Sequence, residues 1–537
     1  MRAASLVLTA ATALFTVSDA ATADEWKSRS IYQVMVDRFA RTDGSTTAAC
    51  DKLYLFCNGT WTGLIDKLDY IQDMGFTAVQ ISPVVHNIEN DTSVGEAYHG
   101  YYQDDLYAVN EHFGTADELK KLSDELHNRD MFLLVDVVVN DMAQAFDNTI
   151  PPPVDYSLFD PFDKSDYFHP YCNVTEWTNT TNIEDCWLYP YGVALADLKT
   201  ESDVVVKMFS TWIKELVSNY TIDGLRIDAA KHVNPGFLTS FVKDAGIFAL
   251  GEVLTGEVDD FCPYQTDGYL PGMPNYLEYY PLISVFNGGH MTKLASMREE
   301  ARASCSDTLA LGSFVENHDM PRFAHYNSDM AIANNAMMYI ILNDGIPLVY
   351  QGQEQHFSGG DTPDNREALW LSGYNTSAEL YVTAKTLNKV RNTMISLTNT
   401  SSPSYVDSKV ETLFSDTNHL CQVKGPDGYQ IVSCVNNYSS SGSKYKLSVG
   451  GFSAGDEVIE VLSCTTSTAD DTGNVTMYMN HGAPKAYVLQ SVLNQTGLCN
   501  TTQDAATASD QADAAVGVRS SMAIVISVVA ASAMMLL

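Results

Sequence analysis

The sequence predicts an α/β fold: a (β/α)8 TIM barrel with a loop domain inserted after its third strand, followed by a C-terminal antiparallel β-sandwich domain. Three observations carry this expectation. From about residue 30 to 395, short apolar runs rich in β-formers alternate with helical segments, over a length that suits a closed parallel barrel. Between 141 and 198 the alternation breaks. After residue 400 helical periodicity gives way to short alternating strands separated by turn signals such as Gly425-Pro426-Asp427-Gly428.

Taken in order, the apolar runs at 31–36, 78–82, 132–139, 225–228, 248–253, 313–316 and 348–350 are the expected barrel strands. Amphipathic stretches at 115–129 and 204–220 are two of the helices between them. The break at 141–198 holds Pro151-Pro152-Pro153, many Tyr, Asn and Thr residues, and Cys172 with Cys186, and shows no clear helix. The expected division is therefore a barrel over 21–400 containing the insertion, then a β domain over 401–500. There Cys421 and Cys434 stand equally far from the 425–428 turn, so they could face each other across a hairpin.

The two ends read as processing signals. Residues 1–20 have Arg2, an apolar run and small residues before a cut after Ala20, as in a secretory signal peptide. Residues 501–521 form an Ala-, Asp-, Ser- and Thr-rich linker. Residues 522–537 are apolar and uncharged, about 24 Å as a helix and short for a membrane core. Small residues, a spacer and a hydrophobic end are the order of a GPI-attachment signal. The expected location is the cell surface or wall, with membrane contact only through that anchor. Ten cysteines without a C-x-x-C pair suit disulfides rather than zinc. Eleven Asn-x-Ser/Thr sequons fit passage through the secretory route.

Composition narrows the function. With 67 acidic against 31 basic residues the net charge is −36, which repels nucleic acid and anionic lipid and suits a neutral substrate. No Walker-A sequence is present, so P-loop phosphoryl transfer loses its signature. What remains is a set of acids at the ends of buried strands: Asp136, Asp228 with Arg226 two residues earlier, Glu252, and Asp319. A carboxylate in such a place stays in water unless it has a task. Several at successive strand ends converge on one barrel mouth, where barrel active sites lie. Clustered carboxylates without a cysteine or serine nucleophile are the equipment for cleaving glycosidic bonds.

Several segments in this order resemble glycoside hydrolase family 13, in particular the secreted fungal α-amylases of the Taka-amylase type. They are Ala97-Tyr98-His99-Gly100-Tyr101, Val135-Asp136-Val137-Val138-Val139-Asn140, Asp223-Gly224-Leu225-Arg226-Ile227-Asp228, Lys231-His232, Gly251-Glu252-Val253-Leu254, Phe314-Val315-Glu316-Asn317-His318-Asp319 and Asn365-Arg366-Glu367. The resemblance implies Asp228 as nucleophile, Glu252 as general acid and then base, and Asp319 as stabiliser of the transition state. It implies that Arg226 keeps Asp228 ionised, and that His99, Tyr101, Lys231, His318 and Arg366 contact the glucan. It further implies a Ca²⁺ ion held by Asn140, Glu184, Asp197 and the main chain of His232, joining barrel to insertion. The implied disulfides are Cys50–Cys57, Cys172–Cys186, Cys262–Cys305 and Cys464–Cys499, with Cys421 and Cys434 outside that pattern. The implied partner is an α-1,4-glucan such as starch, maltooligosaccharides or wall α-glucan, acted on by a monomer.

Two positions depart from the family. Asp141 stands where it has a histidine that grips the donor sugar's primary hydroxyl, so a donor becomes an acceptor near other carboxylates. Thr362 stands four residues before Arg366 where it has aspartate, with Asp361 one place off. Some GPI-anchored fungal relatives altered here resemble 4-α-glucanotransferases. The favoured expectation is therefore a retaining enzyme that transfers glucan to glucan in the cell wall. The alternatives are an α-amylase that mainly hydrolyses starch, and a silent glucan-binding wall protein.

Overall fold

The computed structural model describes residues 21–89, 92–188 and 192–499. The expected signal peptide and anchor signal, and the sequons at Asn90 and Asn500, lie outside the described residues. Among the described residues no helix is long and apolar enough to cross a membrane.

Seven parallel strands form the barrel wall: β1 (Ile31–Val34), β2 (Ala78–Ile81), β3 (Phe132–Val137), β4 (Gly224–Ile227), β5 (Phe248–Gly251), β6 (Gly312–Ser313) and β7 (Ile346–Tyr350). Their order in the sheet is β6-β7-β1-β2-β3-β4-β5. All but Phe132 are buried, so these strands read as apolar runs rather than alternating ones. Residues 272–274 fill the gap between the two edges. Gly272 bridges Leu250 and Pro274 bridges Gly312, both in parallel sense. A Cβ at Gly272 would fall 2.3 Å from the Ala310 carbonyl oxygen, so this narrow closure needs glycine. The expected helices are present as Ala116–His127 and Asp203–Tyr220.

Two hairpins stand on the mouth formed by the C-terminal strand ends. One pairs Val85–Asn87 with Gln103–Val109. The other opens and closes the insertion, pairing Asp141–Ala145 with Val193–Asp197 so that Asp141 lies directly opposite Asp197. Inside the insertion the structure corrects one expectation: Thr180–Asp185 is a helix, its first turn capped by the Asn179 side chain. At six residues, with two threonines and an asparagine, it is too short to show a period.

The C-terminal domain has a six-stranded antiparallel sheet and a two-stranded one, Tyr445–Val449 with Val475–Met479. Cys421 and Cys434 are cross-strand partners and form a disulfide, as do the four pairs the resemblance implies. The domain is fastened to the barrel by buried polar contacts. Lys424 reaches Asp344 at 2.9 Å, and Asn335 accepts the Asn436 backbone N–H at 2.7 Å.

Candidate active site

The strand ends bring four carboxylates around one guanidinium. Arg226, the third residue of β4, points into the barrel mouth and is 5 % exposed at its side chain. Its Nη1 donates to both oxygens of Asp136, at 3.1 and 3.0 Å, and to Asp228 at 2.5 Å. Its Nη2 lies 3.0 Å from Glu252 and 3.9 Å from Asp319. Burial would strip the proton from Arg226, but these acids raise its pKa well above the usual range.

Exposure separates the acids by task. The Asp136 side chain is 1 % exposed, whereas Asp228 is 19 % and Asp319 15 %. Asp136 is thus an anchor for Arg226 and Tyr101, and Asp228 and Asp319 face the open mouth. Burial pushes the Asp228 carboxyl up; Arg226 opposes this, while Glu252, Asp136 and Asp319 add to it. The same forces bring Asp136 to about 6.

Glu252 follows β5 and is held on both oxygens. Oε2 accepts the Ala229 backbone N–H at 3.1 Å, and the Tyr276 hydroxyl stands 3.5 Å from Oε1. Ala229 adopts φ 47°, a left-handed conformation unusual for alanine. That turn directly after Asp228 aims the N–H at Glu252.

A hydrogen-bond relay runs beside the acids. The Tyr101 hydroxyl donates to Asp136 at 2.7 Å and therefore accepts from His318 Nε2, also at 2.7 Å. His318 Nδ1 then accepts from the Gln33 amide at 2.8 Å. This fixes one neutral tautomer. Burial together with Arg226 and Arg366 lowers the His318 pKa well below its usual value. His99 is held neutral in the same way, by burial and by Arg366, His318 and Arg38. Its ring lies roughly parallel to Tyr101, with centroids 5.6 Å apart. Arg366 donates to Asp319 at 3.3 Å, to the His318 carbonyl and to the Tyr98 hydroxyl, while Thr362 bonds Asn365 instead. Lys231 sits on the single turn Ala230–His232, its N–H bonded to the Glu252 carbonyl at 3.2 Å.

Three residues in this machinery were not singled out from sequence. Gln33 interrupts the apolar run of β1, a signal for an internal partner. Tyr98 sits within a quoted segment, and Tyr276 carries no sequence signal at all.

On the flank toward the insertion, Asn140, Asp197 and His232 come together. The Asn140 amide oxygen lies 3.2 Å from Asp197 Oδ1 and 3.0 Å from the His232 carbonyl oxygen. Its nitrogen donates to Asp141 at 3.3 Å. In this orientation three oxygens face one another with no proton between them, the donor set a hard cation favours; turning the amide over would give two N–H donations instead. Glu184, on the Thr180–Asp185 helix, is half-buried and follows Ile183, whose carbonyl oxygen lies 3.3 Å from His232 Nδ1. Among the described residues no group of three or more His, Cys, Asp or Glu side chains is arranged to hold a metal ion. Asp141 is buried, its Oδ1 without a partner. Burial brings its carboxyl to about 7, restrained by Asn140. The upward push thus comes from lost water, not from the catalytic acids.

The sequence profile described as "Alpha amylase, catalytic domain" matches residues 33–429, and that described as "Alpha-amylase, domain C" matches 412–507. The chain belongs to the α-amylase family. It is 47 % identical over 484 residues to Alpha-amylase 1 of Schwanniomyces occidentalis, covering 89 % of this chain and 92 % of that one. It is 44 % identical to the Alpha-amylase of Saccharomycopsis fibuligera, covering 87 % and 92 %. Among solved structures, an α-amylase from Malbranchea cinnamomea superposes with a TM-score of 0.85 at 45 % identity, covering 89 % of this chain and all of that one. As an α-amylase-family glycosidase, the chain carries its acids where this fold places its chemistry.

Proposed function

We propose that this enzyme cleaves internal α-1,4 bonds of glucans by a double displacement and releases the product to water. The observation that carries this reading is the convergence of Asp228 and Glu252 on Arg226, one acid open to the mouth and the other buried and held on both oxygens. Asp228 attacks the anomeric carbon while Glu252 gives its proton to the departing glycosidic oxygen. Glu252, now a base, takes a proton from water, which attacks the glucosyl–Asp228 ester and frees the sugar. Asp319, tied to Arg366, meets the sugar hydroxyls and the positive charge that develops on the ring. Tyr101, fixed by Asp136 and His318, offers its face to the sugar at the cleavage point.

A Ca²⁺ ion bound at Asn140, Asp197 and the His232 carbonyl would brace the insertion against the barrel; the clustered oxygens support it.

A second reading has its own observation. Asp141 replaces a hydrogen-bond donor to the donor sugar with a buried carboxyl lacking one partner. A weakened hold on the donor leaves acceptor-side contacts to decide whether water or another glucan resolves the intermediate. Glucan transfer at the cell wall, with an anchor to keep the enzyme there, is that reading.

Incubation with a maltooligosaccharide of a single length tests both. Hydrolysis gives only shorter products and one new reducing end per bond cut. Longer chains with little rise in reducing ends would replace it with transfer. No cleavage at all would refute both.

A further inference from the structure

The oxygen cluster near the insertion depends on where Asp197 points, and one residue outside the cluster grips Asp197 from two directions. The His169 backbone N–H donates to the Asp197 carbonyl at 2.9 Å, and its ring Nδ1 donates to Asp197 Oδ2 at 2.6 Å. With Oδ2 taken, Oδ1 is the oxygen left to face Asn140 and the His232 carbonyl. His169 is itself fixed. Its carbonyl accepts the Trp187 indole N–H at 3.2 Å, and its Nε2 lies 3.1 Å from Glu201. Phe168, just before it, bridges Leu198, just after Asp197. Both His169 and Asp197 are buried, so no water replaces this contact.

We infer that His169 is a positioning residue for a divalent cation held by Asn140, Asp197 and the His232 carbonyl. The inference rests on the calcium reading above. A carboxylate locked by an imidazole presents one oxygen in a fixed direction, and loss of such an outer partner weakens metal binding about 10–100-fold. Without the imidazole, the Asp197 carboxylate is free to rotate, and neither oxygen is held in that direction.

Two substitutions separate positioning from bulk. In His169→Asn the side-chain amide donates from near the Nδ1 position, whereas in His169→Leu nothing donates. Calcium affinity of the whole enzyme is measured by titration calorimetry after chelation, together with the rise in Tm on adding calcium. The expected result is tight binding by the wild type, a loss of about 10–100-fold in His169→Leu, and affinity within a few-fold of wild type in His169→Asn. Equal affinity in His169→Leu and wild type overturns the positioning role alone. Equal losses in both variants also overturn it, because packing and not donation then matters. A wild type that binds no calcium overturns the calcium reading and this inference with it.

Discussion

The Arg226 guanidinium holds both oxygens of Asp136, at 3.1 and 3.0 Å, and does so while touching Asp228 and Glu252. A planar fork can serve several acids at once in a way a point charge cannot. Arg226→Lys should therefore lower kcat at least about 100-fold, equivalent to roughly 3 kcal/mol of barrier. Circular dichroism should stay unchanged, because Asp136 keeps a cation. Activity near that of wild type would mean that charge alone suffices and the fork does not matter.

The relay from Gln33 through His318 to Tyr101 predicts an effect from a residue that never meets substrate. In Gln33→Leu the buried His318 Nδ1 loses its donor, at a cost of about 1–3 kcal/mol. The ring is then free to flip and release Tyr101. We expect kcat/KM on maltooligosaccharides to fall about tenfold or more. No change in kcat/KM would show that Tyr101 is placed without the relay.

The junction between barrel and C-terminal domain is acid-sensitive by construction. Burial would raise the Asp344 carboxyl, but Lys424 and Arg302 outweigh it and bring it from 3.8 down to about 2. A depressed folded value means stabilisation that is complete above the ordinary carboxylate value and lost as pH falls toward the folded one. About 2 kcal/mol should disappear as pH drops from 3.8 to about 2. Urea unfolding across that range should show the slope, and Asp344→Asn should flatten it. The variant should also be about 3–5 kcal/mol less stable at neutral pH, because Lys424 stays buried without its partner. An unaltered slope in the variant would place the acid sensitivity elsewhere.

The Cys421–Cys434 bond joins facing residues of one hairpin and closes a short loop, with a sequence separation of 13. Replacing both with alanine should cost about 2–3 kcal/mol, chiefly through a less restrained unfolded chain. Guanidinium unfolding followed by tryptophan fluorescence checks this; a loss below about 0.5 kcal/mol, the usual limit for surface substitutions, would contradict it.

The legible parts of this chain were those whose signal is local. An acid at the end of an apolar run is visible in a string of letters, so Asp136, Asp228, Glu252 and Asp319 stood out, as did the seven strands. Gly272–Pro274 did not, because a strand reduced to two single bridges between prolines looks like a turn. Strand position by itself does not tell Asp136 from Asp228, since both are aspartates at strand ends; the family resemblance separates them, and burial supplies the physical difference between an anchor and an acid open to the mouth. Tyr276 and His169 act across distances in sequence that no period or motif spans. Asp141 was visible as a departure, but the origin of its raised pKa in burial required the packed hairpin.

The most direct test of the account uses Glu252→Gln with two substrates. On an ordinary α-1,4-glucan the variant lacks its acid and base, so turnover should fall by about 10²–10⁴-fold or more. An α-maltosyl fluoride carries a leaving group that needs no proton. The first step should then proceed while the second, which needs a base, stalls. Mass spectrometry of the digested protein should find a maltosyl group on the peptide carrying Asp228. An adduct on Asp319 or Asp136, or glucan turnover within tenfold of wild type, would contradict the assignment of Asp228 and Glu252.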